Sequence, residues 1–277
     1  PELAVITNIS YAHAKNFKNL DQIANAKAEI IKNINKKGSI VLNADDSFFN
    51  KHKKLALNNK LKIYSFSLNK RNASVYIKKI IKQKNKFKMI INVNKKDKFF
   101  FVGSIFESNL KNILATIAII SIFKDVNKLN ENIFYKFKTL KGRGDISKIK
   151  IKNKVIKFID ESYNANPLSV SSAIKNYDLI KKGSSEKNLI LSDMLELGKH
   201  SKKLHEKLAN DINSSKIDNV YVYGNNIKHT FKKIIPKKRG SILKGRNEII
   251  SLIKNNIKNN DYLMIKGSNL TGLHSPV

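Results

Sequence analysis

Three short stretches of the 277-residue sequence hold the residue types that bind and activate small polar molecules. They are Asp160-Glu161-Ser162-Tyr163-Asn164-Ala165-Asn166-Pro167, Asp193-Met194-Leu195-Glu196-Leu197-Gly198, and Lys266-Gly267-Ser268. Each follows an apolar run that reads as a parallel strand, and open α/β sheets gather ligands at that carboxyl edge. Asn166-Pro167 has the form of a helix N-cap followed by proline, which turns free backbone N–H groups toward the same crevice. Asp, Asn and Gly also make ordinary turns, but three polar loops on one edge favour a site.

Elsewhere the candidates are single residues. Lys27 shares a 4-3-4 spacing with Ile23, Ile30 and Ile34, which places it on the apolar stripe of a helix. A lysine there either snorkels its ammonium out to water or has a changed charge. Carbamylation by CO2 would turn that cation into a carboxylate able to bind Mg2+. His13 sits just past the first strand, as a hydrogen-bonder or as a nitrogen entering an open position on Mg2+. Arg143 stands between two glycines at a natural joint, either as a phosphate clamp or as an exposed turn residue. No G-x-x-x-x-G-K-[ST] loop occurs, so nothing here alone cradles a nucleotide.

The elements that must position these residues fall into two patterns. Strands are expected at 3–9, 39–42 and 62–67, with helices at 21–35 and 48–57. Over 74–102, Val75, Ile77, Phe87, Met89, Ile91 and Val93 alternate with polar residues, the signature of an antiparallel meander with one wet face. An apolar helix follows at 109–123 and a shorter one at 130–137. After Lys141-Gly142-Arg143-Gly144, strands at 155–160, 188–192, 219–223 and 262–265 alternate with helices at 168–180, 202–212, 227–234 and 247–257. That alternation implies a mostly parallel sheet with helices on both faces. The expected class is α/β, with domains at 1–144 and 145–277, as the length itself suggests.

Composition bounds the function. There is no Cys, which excludes disulfide staples and thiolate sites. No apolar run reaches the ~18 residues of a membrane span. The formal charge of +33 comes from 50 Lys and only four Arg, beside 36 Asn. A dedicated nucleic-acid binder puts more of its charge in Arg, so the lysines read as a solvated background and no specific nucleic-acid partner is expected. The chain opens at Pro1 inside a strand, which suggests a processed or truncated product.

Taken together these segments resemble the Mur ligase family, nearly end to end. PELAVITNISYAHAKNF and LDQIANAKAEI are similar to its central-domain stretch with a Mg2+-associated His and a carbamylated Lys, here His13 and Lys27. VLNADD is similar as well. SNLKNILATIAI resembles the helix whose asparagines approach adenine, and KGRGD places Arg143 on the Gly-Arg at the domain junction. DESYNANPLS and LSDMLELG resemble the two most specific signatures, those of the branch that adds D-alanyl-D-alanine to UDP-N-acetylmuramoyl-tripeptide. Departures are Glu161 for an Asp, Ser192 for a Gly, Phe106 and Ser108 for Gly and His, and Leu273-His274 for Met-Glu.

The resemblance implies a partial central ATP-binding domain that lacks the P-loop, then a Rossmann-like C-terminal domain. It implies an ATP-dependent amide ligase of peptidoglycan synthesis, cytoplasmic and monomeric, using ATP and Mg2+. His13 and carbamylated Lys27 would hold the metal, Arg143 would meet the γ-phosphate, Asn109 and Asn112 adenine, and Glu161 ribose. Tyr163, Asn164, Asn166, Asp193, Glu196, Lys266 and Ser268 would line the dipeptide or acceptor side. The uridine-binding domain and the P-loop segment have no counterpart, so the isolated chain is expected to be inactive. The alternatives are a sister or folylpolyglutamate synthase-like ligase, and an inactive basic remnant that binds polyanions.

Overall fold

Runs of β-branched residues become strands in both halves of the chain, and what covers them differs between the halves. The computed structural model describes residues 1–136 and 142–273. They divide into one unit of Pro1–Ile9 with Phe17–Phe137, and a second of Ser10–Asn16 with Lys138–Val277.

In the first unit, β1 (Leu3–Ile6), β2 (Ser39–Asn43), β3 (Lys62–Ser67) and β4 (Val75–Lys82) run parallel. Antiparallel β5 (Phe87–Val93) and β6 (Lys96–Val102) complete the sheet in sequence order. Between them come α1 (Leu20–Lys32) and α2 (Phe49–Asn58), and α3 (Glu107–Phe123) follows. Leu110, Ile113, Leu114 and Ile117 of α3 share a core with Phe66, Met89, Ile91 and Phe100 of the strands. Each such side chain contributes about 1.5–3 kcal/mol by leaving water.

Two expectations are corrected here. The buried stripe of α1 is Ile23, Ala24, Ala28 and Ile31, while Ile30 is 40% exposed and Lys27 faces solvent. Two alanines, which the spacing ignored, carry that face and rotate it away from Lys27. The helix expected at 130–137 is a series of turns over 131–136, opened when the Asn130 side chain accepts the Asn132 N–H at 2.8 Å. Phe137, Lys141 and His274 lie outside the described residues.

The second unit holds β7 (Asp145–Ile151), β8 (Lys154–Glu161), α4 (Pro167–Leu179), β9 (Lys187–Ser192) and α5 (Ser201–Ser214). It continues with β10 (Asn219–Tyr223), α6 (Lys228–Lys233), β11 (Arg239–Leu243), α7 (Arg246–Asn255) and β12 (Tyr262–Lys266). The strand order is β11-β10-β9-β12-β8-β7, parallel except for the β7–β8 hairpin. Strands β7 and β11 have no counterpart in the pattern read from the sequence. The outward residues of β7 include exposed Ile146, and β11 is exposed from Arg239 to Ile242, so neither shows a buried strand's pattern. One core joins α4 and α5 to the sheet, through Val170, Tyr177, Leu208 and Ile212; another joins α7, through Ile249 and Ile253.

Part of the lysine excess is structural. Fully buried Lys187 donates to the Tyr177 and Asp178 carbonyls at the end of α4, at 2.7 and 3.0 Å. Lys238 does the same for Ile212 and Ser215 at the end of α5, and Lys154 for Lys254 in the last turn of α7 and Ile257 just beyond it. Cations there answer unpaired carbonyls and the negative end of the helix dipole.

Candidate functional site

Strand β12 enters the second sheet between β8 and β9, and its register sets Lys266 beside Glu161 on one side and Leu191 on the other. The loops after β8, β9 and β12 therefore leave the sheet at one carboxyl edge, where the strand order departs from sequence order.

Hydrogen bonds knit these loops together. Lys266, only 3% exposed, donates to the Glu161 carbonyl at 3.1 Å and to the Asn164 carbonyl, and its Nζ lies 3.5 Å from the Glu161 carboxylate. Ser268 Oγ accepts the Leu195 N–H at 3.2 Å and donates to the Ala165 carbonyl at 3.5 Å, so one hydroxyl touches both other loops. Burial pushes the Glu161 carboxyl up, opposed chiefly by Lys266; burial pushes Lys266 down, opposed chiefly by Glu161.

Arg143 joins the cluster through the turn before β7. Its guanidinium carbon stands 4.4 Å from the centre of the exposed Tyr163 ring. Gly144 makes that approach possible: it holds φ at +91°, and a Cβ there would meet the Glu161 carboxylate at 2.7 Å.

Several expected ligand contacts are committed to the protein itself. Asn166 caps α4, accepting the Ser169 N–H at 2.9 Å while Ser169 Oγ accepts its N–H at 3.0 Å. Asn164 Oδ1 accepts the Ala165 N–H at 2.7 Å. The buried Asp193 carboxylate accepts the Asn225 and Ile227 N–H groups at 3.1 and 2.8 Å, which fixes the turn after β10. Glu196 instead faces out and meets His13 Nδ1.

The remaining candidates belong to the first unit. Lys27 Nζ donates to the Asn8 carbonyl at 3.4 Å, at the carboxyl end of β1. That loop is held by Asn43, which donates to the Thr7 carbonyl at 2.8 Å, and by Asp46, which accepts the Ile9 N–H at 2.7 Å. Asn109 is half-buried in the first turn of α3, and Asn112 is exposed one turn on.

Two residues of the edge gave no usable signal in the sequence. Buried His205 donates from Nδ1 to the Ser201 carbonyl at 2.8 Å and accepts the Met194 N–H at Nε2, 3.1 Å. Its helical neighbours would have marked it as an ordinary polar surface position. Ser192 Oγ pairs with Thr271 Oγ1 at 2.7 Å, a contact between residues 79 apart in sequence.

Comparison with known proteins matches residues 1–120 to the Mur ligase middle domain and residues 146–269 to the Mur ligase glutamate ligase domain. The UDP-N-acetylmuramoyl-tripeptide–D-alanyl-D-alanine ligase of Rickettsia prowazekii is 31% identical over 97% of this chain and 58% of its own length. The same-named ligase of Buchnera aphidicola subsp. Baizongia pistaciae is 31% identical over 96% of this chain and 55% of its own. The chain thus spans a little over half the length of these relatives. A crystal structure of MurF from Acinetobacter baumannii superposes with a TM-score of 0.84 at 23% identity, covering 100% of this chain and 58% of that one. A MurF ligase from Thermotoga maritima in complex with ADP gives 0.80 at 22% identity, covering 98% and 59%.

Proposed function

The chain belongs to the Mur ligase family, and from that premise we propose that it serves ATP-dependent addition of D-alanyl-D-alanine to UDP-N-acetylmuramoyl-tripeptide in cytoplasmic peptidoglycan synthesis. The observation that supports this reading is the placement of DESYNANPLS and LSDMLELG on one sheet edge, on either side of β12, tied by Lys266 and Ser268. In this reading residues 1–144 bind ATP and residues 145–277 present the acceptor and dipeptide, in a monomer.

A carboxylate resists attack by an amine until an oxygen is made a leaving group. Transfer of the γ-phosphoryl group of ATP to the tripeptide's terminal carboxylate gives ADP and an acyl phosphate. The dipeptide amine then attacks the acyl carbon, the carbon–oxygen bond to phosphate breaks, and the amine nitrogen gives up a proton. Such transfer depends on cations set around spreading negative charge. Arg143 takes that part, held over Tyr163. Asn109 and Asn112 position adenine, and Glu161 meets the ribose hydroxyls. Lys266 fixes Glu161 and the backbone of the Asn164 loop. Ser268 and the Tyr163 side chain line the dipeptide side, while Asn166 and Asp193 shape their loops from within.

Unmodified Lys27 does not fit Mg2+: it is a cation donating to a carbonyl, and no group of three or more His, Cys, Asp or Glu among the described residues could hold a metal. Carbamylated Lys27 and His13 would supply part of a ligand set for Mg2+.

The test is product mass from a graft in which these 277 residues replace the matched segment of the Rickettsia prowazekii ligase. With ATP, UDP-N-acetylmuramoyl-tripeptide and equal D-alanyl-D-alanine, D-glutamate and diaminopimelate, only the D-alanyl-D-alanine adduct is expected. Preference for another amine would assign the chain to a sister activity.

A further inference from the structure

The chain leaves the first unit after Ile9 and returns to it at Phe17, and the segment between, Ser10–Asn16, groups with the second unit. It is seated on residues 194–200, the turn that carries the LSDMLELG signature. Tyr11 packs against the core that contains Met194 and Leu197, and its ring lies 5.1 Å from that of His200. Ala14 is fully buried. Gly198 stands against Lys15, and a Cβ on it would come within 2.8 Å of the Lys15 carbonyl oxygen at a φ of +53°. At the rim of this seat, His13 Nδ1 meets the Glu196 carboxylate.

The backbone at that meeting point is unusual on both sides. His13 has φ 54° and Glu196 φ 60°, conformations that non-glycine residues avoid unless their surroundings impose them. Half-buried Tyr11, packed against the core, with buried Ala14 and Leu197, supplies those surroundings. Their effect is to aim two exposed side chains, 77% and 53% accessible, at each other. An exposed pair of this kind adds little stability, so its geometry has another consequence. A carboxylate on one ring nitrogen of a histidine keeps the proton there and leaves the other nitrogen as a lone pair.

We propose that residues 194–200 are the seat of the Ser10–Asn16 segment and that Glu196 is a positioning residue for His13. Glu196 accepts the Nδ1–H, and Nε2 is presented as a free donor atom. This replaces the expectation that Glu196 touches substrate. The use made of Nε2 rests on the ligase reading above, but the tautomer and the seat do not.

The test uses the 277-residue chain without ligands, read by long-range 1H–15N spectra of the imidazoles and by amide hydrogen exchange. In the unsubstituted chain His13, in its neutral form, carries its proton on Nδ1. Glu196→Ala moves most of the population to the Nε2–H form, and Glu196→Gln, which keeps an acceptor, restores Nδ1–H. Gly198→Ala speeds exchange at Ala14 and Lys15 by tenfold or more. Exchange in β9 and β12 stays unchanged in all three, which separates loss of the seat from unfolding. An unaltered His13 tautomer in Glu196→Ala would overturn the positioning role, and unaltered exchange in Gly198→Ala would overturn the seat. A graft that makes no amide product while these signatures hold would remove the ligase reading and leave this one standing.

Discussion

Lys266 Nζ lies 3.5 Å from the Glu161 carboxylate across two adjacent parallel strands, with the lysine side chain 3% and the glutamate side chain 19% exposed. The lysine's other bonds run to the Glu161 and Asn164 carbonyls, so removing either partner has unequal consequences. Lys266→Met removes the cation beside a largely buried carboxylate and the side-chain donor to two carbonyls, and is expected to cost about 3–5 kcal/mol. Glu161→Gln leaves the lysine two acceptors and should cost less, about 1–2 kcal/mol. Urea unfolding of the two variants measures the difference; equal losses would mean the carbonyl bonds carry nothing.

Acid should loosen the LSDMLELG turn through His205. Its imidazole is held neutral by burial, which lowers its pKa, while Nε2 accepts the Met194 N–H. A depressed pKa means the unfolded chain binds the proton more readily. The stabilisation is therefore full above the unfolded value of about 6.5 and is lost as pH falls through the folded value. Buried His52, lowered for the same reason, adds to the slope. Melting temperature should fall between pH 7.5 and 5. His205→Ala should cost about 1–3 kcal/mol at pH 7.5 by orphaning a buried N–H, and should flatten part of that slope.

Lys27 is exposed and its bond to the Asn8 carbonyl is a long one, 3.4 Å, so its nitrogen is accessible to CO2, which adds to the amine once the ammonium has given a proton to water. Equilibration with 13C-bicarbonate is expected to give a carbamate carbonyl signal that Lys27→Ala abolishes. In the graft, Lys27→Ala should lose most activity, and added bicarbonate should not restore it. Near-full rate in that variant would dispose of the carbamate.

Arg143 and Tyr163 can be separated by what each substitution keeps. Tyr163→Phe retains a π face for the guanidinium and should leave kcat within about twofold, since an exposed cation–π contact is worth about 0.5–1 kcal/mol. Tyr163→Leu should lower kcat more. Arg143→Lys loses the fork and should lower kcat by about a hundredfold with little change in dipeptide KM. An effect confined to that KM would move Arg143 out of the phosphoryl site.

The sequence made some of this legible and hid the rest for identifiable reasons. The parallel core strands, the meander and the cap at Asn166 all announce themselves through local pattern, and each is where the pattern puts it. The loops that follow β8, β9 and β12 could be listed as candidates, but a sequence does not reveal that β12 inserts between β8 and β9. That insertion alone brings Lys266 to Glu161, 105 residues away. Lys27 was misplaced because alanine counts as neutral in a periodicity argument, whereas Ala24 and Ala28 are buried at 0% and 5% exposure. The loop-fixing bonds of Asp193 were hidden because they come from the Asn225 and Ile227 backbone N–H groups, which carry no sequence signature.

The central claim is that an acyl phosphate forms at this edge. It is tested by supplying the graft with tripeptide substrate labelled with 18O in its terminal carboxylate and analysing the phosphate released. Amide formation through an acyl phosphate must transfer one carboxylate oxygen to phosphate, so each phosphate should carry one 18O when D-alanyl-D-alanine is present. Release of unlabelled phosphate alongside amide product would contradict the account.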